Sequence, residues 1–405
     1  MSKTLVVAGG GAAGFFCAVN AARIHADLRV ILLEKSSKLL SKVRVSGGGR
    51  CNVTHACFDI SEMSRNYPRG NTFVKKSFHQ FFTHDTVNWF GERGVKLKTE
   101  KDGRMFPVAD TAQAIIDCLL REAAKYKVEV RMNIAVNNIL PGNGNIALRL
   151  SDGSTILAHH VCIACGGFPK KEMFNWLRET DHTIEDPVPS LFTFNLPGHP
   201  ICSLMGVSVP SARARIAGTK LEQEGPLLIT HWGLSGPAIL KLSAWGAREL
   251  AKKKWNFTVL VNWVPNENEN SVIRKMSALR YERATQKIKS NNPFTLPQRL
   301  WEFMLSANSI DGEKRWADFT AKLQNKLARQ LTGMEMEVRG KTTFKEEFVT
   351  AGGIRLSEID PNTMMSRKCG GLYFAGEILD VDGITGGFNF QHAWTSGFIA
   401  AKLQE

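Results

Sequence analysis

The 405-residue sequence contains no uninterrupted apolar run long enough to cross a membrane, and its first apolar stretch is soon broken by glycines. No cleavable signal pattern is present. The eight cysteines show neither the spacing of a disulfide framework nor a second C-x-x-C pair for zinc. These absences predict a soluble cytoplasmic protein without a membrane partner or a metal site.

The single C-x-x-C pair, Cys162 and Cys165, lies in an apolar run. Strand geometry places residues three apart on opposite faces, whereas a redox pair usually lies at the start of a helix. The pattern therefore favours a structural role for these cysteines over a redox role.

Acidic residues are few relative to basic ones, with 38 Asp and Glu against 52 Lys and Arg, and the net charge is +14. Such an excess could attract nucleic acid, anionic lipid or an acidic substrate. The densest cluster, at 252–254, ends a predicted helix, where cations are favoured anyway, and we find no basic stripe interleaved with exposed aromatic residues. A generally basic, solvated surface is thus favoured, and nucleic acid is the less favoured partner.

The first 35 residues predict a strand, a tight turn, a helix and a second strand. Thr4–Ala8 is a short apolar run, Gly9–Gly14 follows with G-x-G-x-x-G spacing, and Phe15–Ile24 has helical spacing. A second apolar run, Leu28–Leu33, ends in Glu34, twenty residues beyond Gly14. This is the βαβ fingerprint of a dinucleotide-binding domain.

Each residue type in the fingerprint has a physical reason. Gly9 permits the turn, Gly11 leaves room for a pyrophosphate beside the backbone, and Gly14 allows the helix to pack closely on the strand. The helix N-terminus attracts phosphate, and Glu34 can bind a ribose with free hydroxyls, as found in either FAD or NAD.

Two further glycine-rich segments predict contacts with a flat ligand. The loop Ser46–Asn52 holds three consecutive glycines, which let the backbone approach a ligand closely. Near the C-terminus, an apolar strand ends in Gly376 and Glu377, and the turn at 385–389 precedes an apolar helix at about 390–403. A second glycine turn before a helix N-terminus suits the flavin end of FAD, because the helix dipole can stabilise negative charge on the reduced ring.

The chain is too long for one ordinary core. Between the glycine segments we predict a meander of three short strands at 134–158, then a β-rich domain from about Pro187 and a helical stretch at 266–331. Amphipathic helices are also predicted at 73–94 and 110–127, the second capped by Asp110 or Thr111.

Together these motifs make the sequence resemble the BaiN-like bacterial flavoproteins, a branch of the FAD-binding proteins with glutathione-reductase-type cofactor domains. The resemblance spans nearly the whole chain. It is carried by four segments: Gly9–Gly14, Ser46–Asn52, Thr230–Pro237 and Ala375–Gln391.

The resemblance implies an α/β fold, in which a Rossmann-like FAD-binding domain is interrupted by a β-barrel-like domain and a helical subdomain. The expected boundaries are 1–186 and 345–405 for the FAD-binding domain, 187–265 and 334–344 for the β-rich substrate domain, and 266–333 for the helical subdomain.

Resemblance and position together imply FAD as the cofactor. The expected cofactor-binding residues on the adenine and pyrophosphate side are Gly9, Gly11, Ala12, Ala13, Gly14, Glu34, Lys35, Lys42, Ser46, Gly47, Gly48, Arg50, Cys51, Asn52 and Val136. Those on the ribitol and flavin side are Gly376, Glu377, Asp380, Gly386, Gly387, Phe388 and Asn389.

The expected activity is FAD-dependent oxidation or reduction of a small molecule of the amine or conjugated carbonyl class. No second G-x-G-x-x-G is present, so NAD(P)H would bind transiently at the flavin. His231 is the candidate proton donor or acceptor and Arg50 the candidate anion clamp. Two alternatives stay open: a flavoprotein that acts on or binds RNA, and a flavin-binding protein without turnover.

Overall fold

The computed structural model describes residues 3–342 and 349–404. The chain divides into two compact units, a first unit of Met1–Ser190 with Phe344–Glu405 and a second unit of Leu191–Thr343. The helices are α1 (Ala12–Ile24), α2 (Ser41–Gly49), α3 (Ile60–Ser64), α4 (Asn71–Phe78), α5 (Thr83–Gly91), α6 (Gln113–Lys125), α7 (Pro237–Lys252), α8 (Glu269–Glu282), α9 (Gln298–Ala307), α10 (Ala321–Gly333) and α11 (Phe388–Ala401). The strands are β1 (Thr4–Ala8), β2 (Arg29–Glu34), β3 (Thr54–His55), β4 (Leu97–Thr99), β5 (Arg104–Pro107), β6 (Glu129–Met132), β7 (Val136–Pro141), β8 (Ile146–Leu150), β9 (Thr155–Ala158), β10 (His160–Ile163), β11 (Ile184–Ser190), β12 (Thr193–Asn195), β13 (Ser208–Ile216), β14 (Glu222–Thr230), β15 (Gly233–Ser235), β16 (Asn256–Asn262), β17 (Met334–Arg339), β18 (Lys341–Thr342), β19 (Val349–Ile354) and β20 (Leu372–Phe374).

The first unit is built around a five-stranded parallel sheet in the order β20-β10-β1-β2-β6. Its central strands are fully buried apolar runs, as expected when helices cover both faces. All five strands run in the same direction, so their carboxyl ends meet at one edge of the sheet. The turns that follow β1, β10 and β20, and the acid that ends β2, therefore lie along that edge.

Helices α1 and α11 pack closely against each other over this sheet. A Cβ atom on Gly397 would come within 2.6 Å of the carbonyl oxygen of Ala13, so the contact requires glycine. The close packing of α1 against α11 brings the first and last helices of the first unit together.

Strands β7, β8 and β9 form the predicted antiparallel meander.

The second unit contains a seven-stranded sheet in the order β17-β16-β13-β14-β15-β12-β18, and its ladders are antiparallel. Helices α7 to α10 share one apolar core with this sheet. The predicted α/β class, with a Rossmann-like domain and an additional β-rich region, is confirmed. The separate helical subdomain at 266–333 stays a prediction.

Three local predictions differ from the structure. The helical pattern at 73–94 is interrupted after Phe78, giving α4 and α5. Of the two caps predicted for α6, Asp110 is wrong, because its carboxylate forms an ion pair with Lys98. The Thr111 hydroxyl does accept from the Gln113 N–H at 3.3 Å, at the first residue of α6, although the N-cap position itself falls on Ala112. The sequence predicts two short strands, at 207–209 and 213–217, separated by Pro210. The structure has the single strand β13 instead, which accommodates the proline at an irregularity in its pairing.

Candidate dinucleotide site

The opening turn after β1 is shaped by its glycines. Gly9 has a positive φ of 119°, and a Cβ atom there would collide with the backbone of Ala164 at the end of β10. A Cβ atom on Gly14 would collide with the carbonyl oxygen of Gly9. At Gly11, in contrast, a Cβ atom would meet nothing within 4 Å. Gly9 and Gly14 are thus required by the fold, whereas Gly11 borders open space.

The N-terminus of α1 suits an anion. Its N-cap, Gly11, makes no side-chain cap hydrogen bond, and its first turn contains no acidic residue. The N–H groups of Ala12 and Ala13 therefore begin a helix whose positive dipole end no carboxylate of that turn neutralises. This arrangement can bind a pyrophosphate.

Glu34 is fixed at the end of β2 by three hydrogen bonds. Its Oε2 accepts from the Gly10 N–H at 2.9 Å, and its Oε1 accepts from the N–H and hydroxyl of Ser36 at 2.9 and 2.8 Å. The carboxylate therefore lies beside the opening turn, at the position expected for a ribose contact.

The second glycine segment begins as the last turns of α2. Ser46, Gly47 and Gly48 leave the helical conformation, and both glycines have positive φ. Open space surrounds the Cβ position of Gly48, so this glycine, like Gly11, leaves room at the surface. Cys51 is fully buried, and burial raises the pKa of its thiol to about 12, which makes it unsuitable as a thiolate.

Arg50 is already paired within the first unit. Its Nη1 lies 2.6 Å from Glu100 and 3.7 Å from Asp110, and its guanidinium stacks 4.0 Å from the Phe106 ring centroid. The hydrogen bond with Glu100 raises the pKa of Arg50. An anion at Arg50 would therefore compete with Glu100, which weakens the predicted role as an anion clamp.

The closing turn, Gly386 and Gly387, is bound directly to the last residue of the second glycine segment, Asn52, and to His55, which follows that segment. With the Asn52 amide oriented to satisfy both neighbours, its Oδ1 accepts from the Gly387 N–H at 2.9 Å and its Nδ2 donates to the Thr54 carbonyl at 3.0 Å. His55 donates from Nδ1 to the Gly386 carbonyl at 2.9 Å. The two glycine segments, more than 330 residues apart in sequence, thus form one continuous surface.

Side chains of the first turns of α11 complete this junction. Gln391 Oε1 accepts from the Thr54 hydroxyl at 2.6 Å and from Thr86 at 3.0 Å. The Phe388 ring stacks on His55 at 4.7 Å between centroids, and its carbonyl accepts from the Tyr67 hydroxyl at 2.6 Å. The N-terminus of α11 is therefore positioned by β3, a strand of only two residues.

An ion pair joins the region of α2 to the turn after β20. Lys42 Nζ lies 2.6 Å from Glu377 Oε2, and Glu377 Oε1 accepts from the Thr350 N–H at 2.9 Å. Gly376 donates its N–H to the Ser396 hydroxyl at 2.8 Å. The predicted ribitol-side residues Gly376 and Glu377 are consequently held by α2, β19 and α11 at once.

The segment before the closing turn is anchored by a buried charge pair. Arg69 makes a two-pronged ion pair with Asp382, which also accepts from the Ser190 hydroxyl at 2.7 Å. Burial raises the pKa of Asp382, and Arg69 opposes that shift. The side-chain amide of Asn389 accepts from the Gly383 N–H at 2.8 Å and donates to the Gly383 carbonyl at 2.9 Å. The predicted contact of Asn389 with the cofactor would compete with those two hydrogen bonds.

His392 lies one turn into α11 with its ring buried. Among the described residues, neither ring nitrogen has a partner in hydrogen-bonding geometry. Burial lowers the pKa of His392 to about 4, and the neighbouring backbone of Gly376 opposes the shift. A neutral imidazole is therefore the form present at neutral pH.

Four predicted residues remain, namely Lys35, Val136, Asp380 and His231. Lys35 follows β2 and lies 5.6 Å from the Phe168 ring centroid, and Val136 begins β7. Asp380 is buried, two residues before Asp382 in the chain. His231 belongs to the second unit, where it is exposed in the two-residue turn between β14 and β15.

Two contributors were missed by the sequence reasoning. His55 and Arg69 lie outside glycine motifs, and no local pattern predicts their partners Gly386 and Asp382, which are more than 310 residues away. The only usable signal was that His55 follows the second glycine segment directly.

Among the described residues, no group of three or more His, Cys, Asp or Glu side chains is arranged to hold a metal ion, and no helix there is long and apolar enough to span a bilayer.

These features fit a dinucleotide that extends from the opening turn to the closing turn. Open space borders Gly11 and Gly48, and α1 and α11 both begin at a glycine without a side-chain cap. The parallel sheet, its glycine turns at the carboxyl edge and the two helix N-termini are the features of a dinucleotide-binding domain of the Rossmann type.

The chain belongs to the HI0933-like family. The family profile described as HI0933-like protein Rossmann domain matches residues 3–403. The chain is 29% identical over 413 residues to a 3-dehydro-bile acid delta(4,6)-reductase of Clostridium scindens, covering 98% of this chain and 97% of the relative. It is 30% identical over 408 residues to a ribosomal RNA dihydrouridine synthase of Escherichia coli, covering 98% and 96%. The resemblance to the BaiN-like flavoproteins predicted from the sequence is confirmed.

Solved structures share the fold at low sequence identity. A 3-ketosteroid delta1-dehydrogenase from Sterolibacterium denitrificans superposes with a TM-score of 0.52 at 13% identity, over 99% of each chain. A 3-ketosteroid-delta4-(5alpha)-dehydrogenase from Rhodococcus jostii RHA1 gives 0.50 at 14% identity, over 98% of this chain and 97% of the other. At such identities the likeness concerns the fold alone.

Proposed function

We propose that the protein is an FAD-dependent reductase that saturates a carbon–carbon double bond conjugated with a carbonyl group. The observation that carries the proposal is the direct joining of the two glycine segments through Asn52 and His55, which brings segments from the two ends of the chain into contact. The names of the full-length relatives supply the chemistry. Both a 3-oxo steroid Δ4,6-reductase and a dihydrouridine synthase add hydrogen across a double bond conjugated with a carbonyl.

Different residues would bind different parts of the cofactor. Gly11 and the N-terminus of α1 would bind the pyrophosphate, and Glu34 the adenosine ribose. Glu377 would contact the ribitol, and the N-terminus of α11, preceded by Gly387, would face the flavin ring. When bound, FAD would accept a hydride from a reductant and deliver it to the substrate carbon.

The helix dipole of α11 is the contribution that the chain itself makes to this chemistry. Its first turn contains no acidic side chain, so the positive end of the dipole is not neutralised there. Negative charge that develops on a ring near Gly387 would be stabilised by that field. His231 stays the candidate proton donor to the substrate, and NAD(P)H the candidate transient reductant.

Uridine in RNA is a second candidate substrate. Two full-length relatives, from Escherichia coli and Haemophilus influenzae, carry the name ribosomal RNA dihydrouridine synthase. The Escherichia coli relative is 30% identical to this chain, against 29% for the Clostridium scindens reductase. The net charge of +14 is compatible with a polyanionic substrate. A small enone and a uracil base require the same hydrogen addition, so the two candidates differ in recognition and not in chemistry.

The test begins with the visible spectrum of the purified chain. We expect a flavin spectrum, bleached by anaerobic NADH or NADPH and restored by a 3-oxo-4-ene steroid or by a uridine-containing RNA, whose product has gained two hydrogens in mass spectrometry. A colourless protein that does not take up added FAD would contradict the proposal. Anaerobic bleaching by amines, with no reoxidation by enone or RNA, would favour amine oxidation instead, and bound FAD that nothing reduces would indicate a protein without turnover.

A further inference from the structure

One face of α7 in the second unit carries basic residues on both sides of an exposed tryptophan. Lys241, Trp245, Arg248 and Lys252 are spaced i, i+4, i+7 and i+11, which places all four on one face of a helix. The Trp245 side chain is 39% exposed, among the few large apolar residues that are not buried. We call these four residues the α7 stripe.

The opposite face of α7 explains why the stripe points outward. Ile239, Leu242 and Leu250 are fully buried in the core shared with the seven-stranded sheet. Because α7 is anchored by that apolar face, the exposed tryptophan is not needed to hold the helix. Single exposed aromatic residues are common on protein surfaces, so Trp245 is distinguished by its place between cations on one helix face and not by its exposure alone.

The chemistry of the stripe matches single-stranded nucleic acid. An aromatic ring offers a stacking surface for any base, and flanking cations attract the phosphates on either side. The stripe extends for about 16 Å along the helix at 1.5 Å per residue, enough for a few nucleotides. The excess of positive charge over the whole chain, +14, favours the approach of such a polyanion.

We propose that the α7 stripe binds unpaired RNA, with a base stacked on Trp245 and the backbone phosphates contacted by Lys241, Arg248 and Lys252. This inference rests on the proposed function, because it assigns an RNA-binding surface to the candidate reductase of uridine. It adds a site in the second unit, outside the dinucleotide site.

Helix α10 in the same unit provides a matched comparison. It exposes Lys322, Lys326 and Arg329, and it contains no acidic residue. Lys326 donates to the Asn308 carbonyl at 3.0 Å, Arg329 pairs with Glu269 at 3.3 Å, and α10 itself contains no aromatic residue. Its three charges therefore serve as a control for charge without stacking.

The experiment measures binding of the FAD-loaded full chain to a fluorescently labelled single-stranded RNA of about 12 nucleotides, within known single-strand site sizes. Trp245→Ala should weaken binding by about tenfold or more, whereas Trp245→Phe should keep most of the affinity. The triple variant Lys241→Gln, Arg248→Gln and Lys252→Gln should lower the slope of log K against log salt by about two. The α10 triple variant Lys322→Gln, Lys326→Gln and Arg329→Gln, and the exposed aromatic control Tyr281→Ala, should have much smaller effects.

Three results would overturn the inference. The first is wild-type RNA affinity in Trp245→Ala, and the second is an equal loss of RNA affinity in the α7 and α10 triple variants. The third is a change of oligomeric state in Trp245→Ala with unchanged RNA binding, which would make the stripe a contact between copies of the chain. Reduction of a small 3-oxo-4-ene steroid, followed in the same variants, should stay at the wild-type rate. If the steroid is reduced but RNA does not bind through the stripe, only this inference fails, and if RNA binds through the stripe but no conjugated bond is reduced, only the proposed function fails.

Discussion

Among individual residues, the glycines of the opening turn separate the requirements of the fold from those of the ligand. We expect Gly11→Ala to leave the free energy of unfolding of the cofactor-free protein within about 0.5 kcal/mol of wild type, because the new methyl group meets nothing within 4 Å. The same methyl group would fill the space assigned to the pyrophosphate, so FAD affinity should fall by about tenfold or more. Urea unfolding and FAD titration measure the two quantities separately.

Two other glycines serve as controls for that prediction. Gly14→Ala should destabilise the protein itself, because its Cβ atom would collide with the Gly9 carbonyl. Gly91→Ala, at the end of α5, also adds a methyl group in open space and should change neither stability nor FAD affinity appreciably. Wild-type FAD affinity in Gly11→Ala would mean that the pyrophosphate lies elsewhere.

The buried His392 predicts a specific pH dependence of stability. Its pKa is about 4 in the folded protein and ordinarily 6.5, so only the unfolded chain takes up a proton between these values. Stability present above pH 6.5 is therefore lost as the pH falls from 6.5 towards 4. In the cofactor-free protein, His392→Leu should lose about 2 kcal/mol less than wild type between pH 7 and pH 5.

Urea unfolding at the two pH values measures this difference. His79→Gln, which replaces an exposed histidine of the same unit, is the control and should follow the wild type. An unchanged pH dependence in His392→Leu would show that the imidazole is charged or hydrated in the folded protein.

At the scale of secondary-structure elements, the two-residue strand β3 and its neighbours control the N-terminus of α11. Asn52→Ala would remove both the acceptor for the Gly387 N–H and the donor to the Thr54 carbonyl. Two groups without partners should cost about 1–3 kcal/mol of stability. Because the closing turn is then held less firmly, FAD should also dissociate faster.

Stopped-flow release of FAD and urea unfolding test this effect. Asn143→Ala, which removes an exposed amide in the turn between β7 and β8, should alter neither measurement. If Asn52→Ala lowers stability but leaves the release rate unchanged, the closing turn does not contact the cofactor.

The elements that could be predicted from the sequence are those whose pattern is local. The unit β1, α1 and β2 follows from apolar runs and glycine spacing within 35 residues, and the meander β7 to β9 follows from alternation and turn residues. At the N-terminus of α6 the sequence leaves Asp110 and Thr111 as alternative caps, and only the tertiary pairing of Asp110 with Lys98 from β4 decides against Asp110. Tertiary contacts also decided that β13 continues through Pro210.

The residues of the candidate site also differ in whether local sequence could predict them. Gly9, Gly14 and Glu34 are recognisable from spacing, since their partners lie within the same βαβ unit or the adjacent strand. The bonds from Asn52 and His55 to the closing turn depend on how distant segments meet, which no local pattern encodes. The α7 stripe was overlooked for a similar reason, because only the packing of the opposite helix face shows that Trp245 is exposed.

In the whole molecule, strand order explains how the two ends of the chain meet at one edge of the parallel sheet. Strand β20, which begins more than 360 residues after β1, pairs in parallel with β10, and β10 pairs with β1. The turns after β1 and β20 therefore open at the same edge of one sheet. The intervening second unit is inserted without interrupting that sheet.

This arrangement predicts a pattern of hydrogen exchange over the entire chain. FAD should protect peptides that contain the opening turn at 9–14, the second glycine segment with strand β3 at 46–55, and the closing segment at 376–391, because we propose that one ligand contacts all three. ADP, which lacks the flavin half, is the matched control: it should protect the opening turn and the end of β2 while leaving 376–391 at its cofactor-free rate. Protection by FAD that is confined to the ADP pattern would mean that the closing turn binds no part of the cofactor. The flavin would then lie away from α11, and the dipole of that helix could not stabilise the reduced ring.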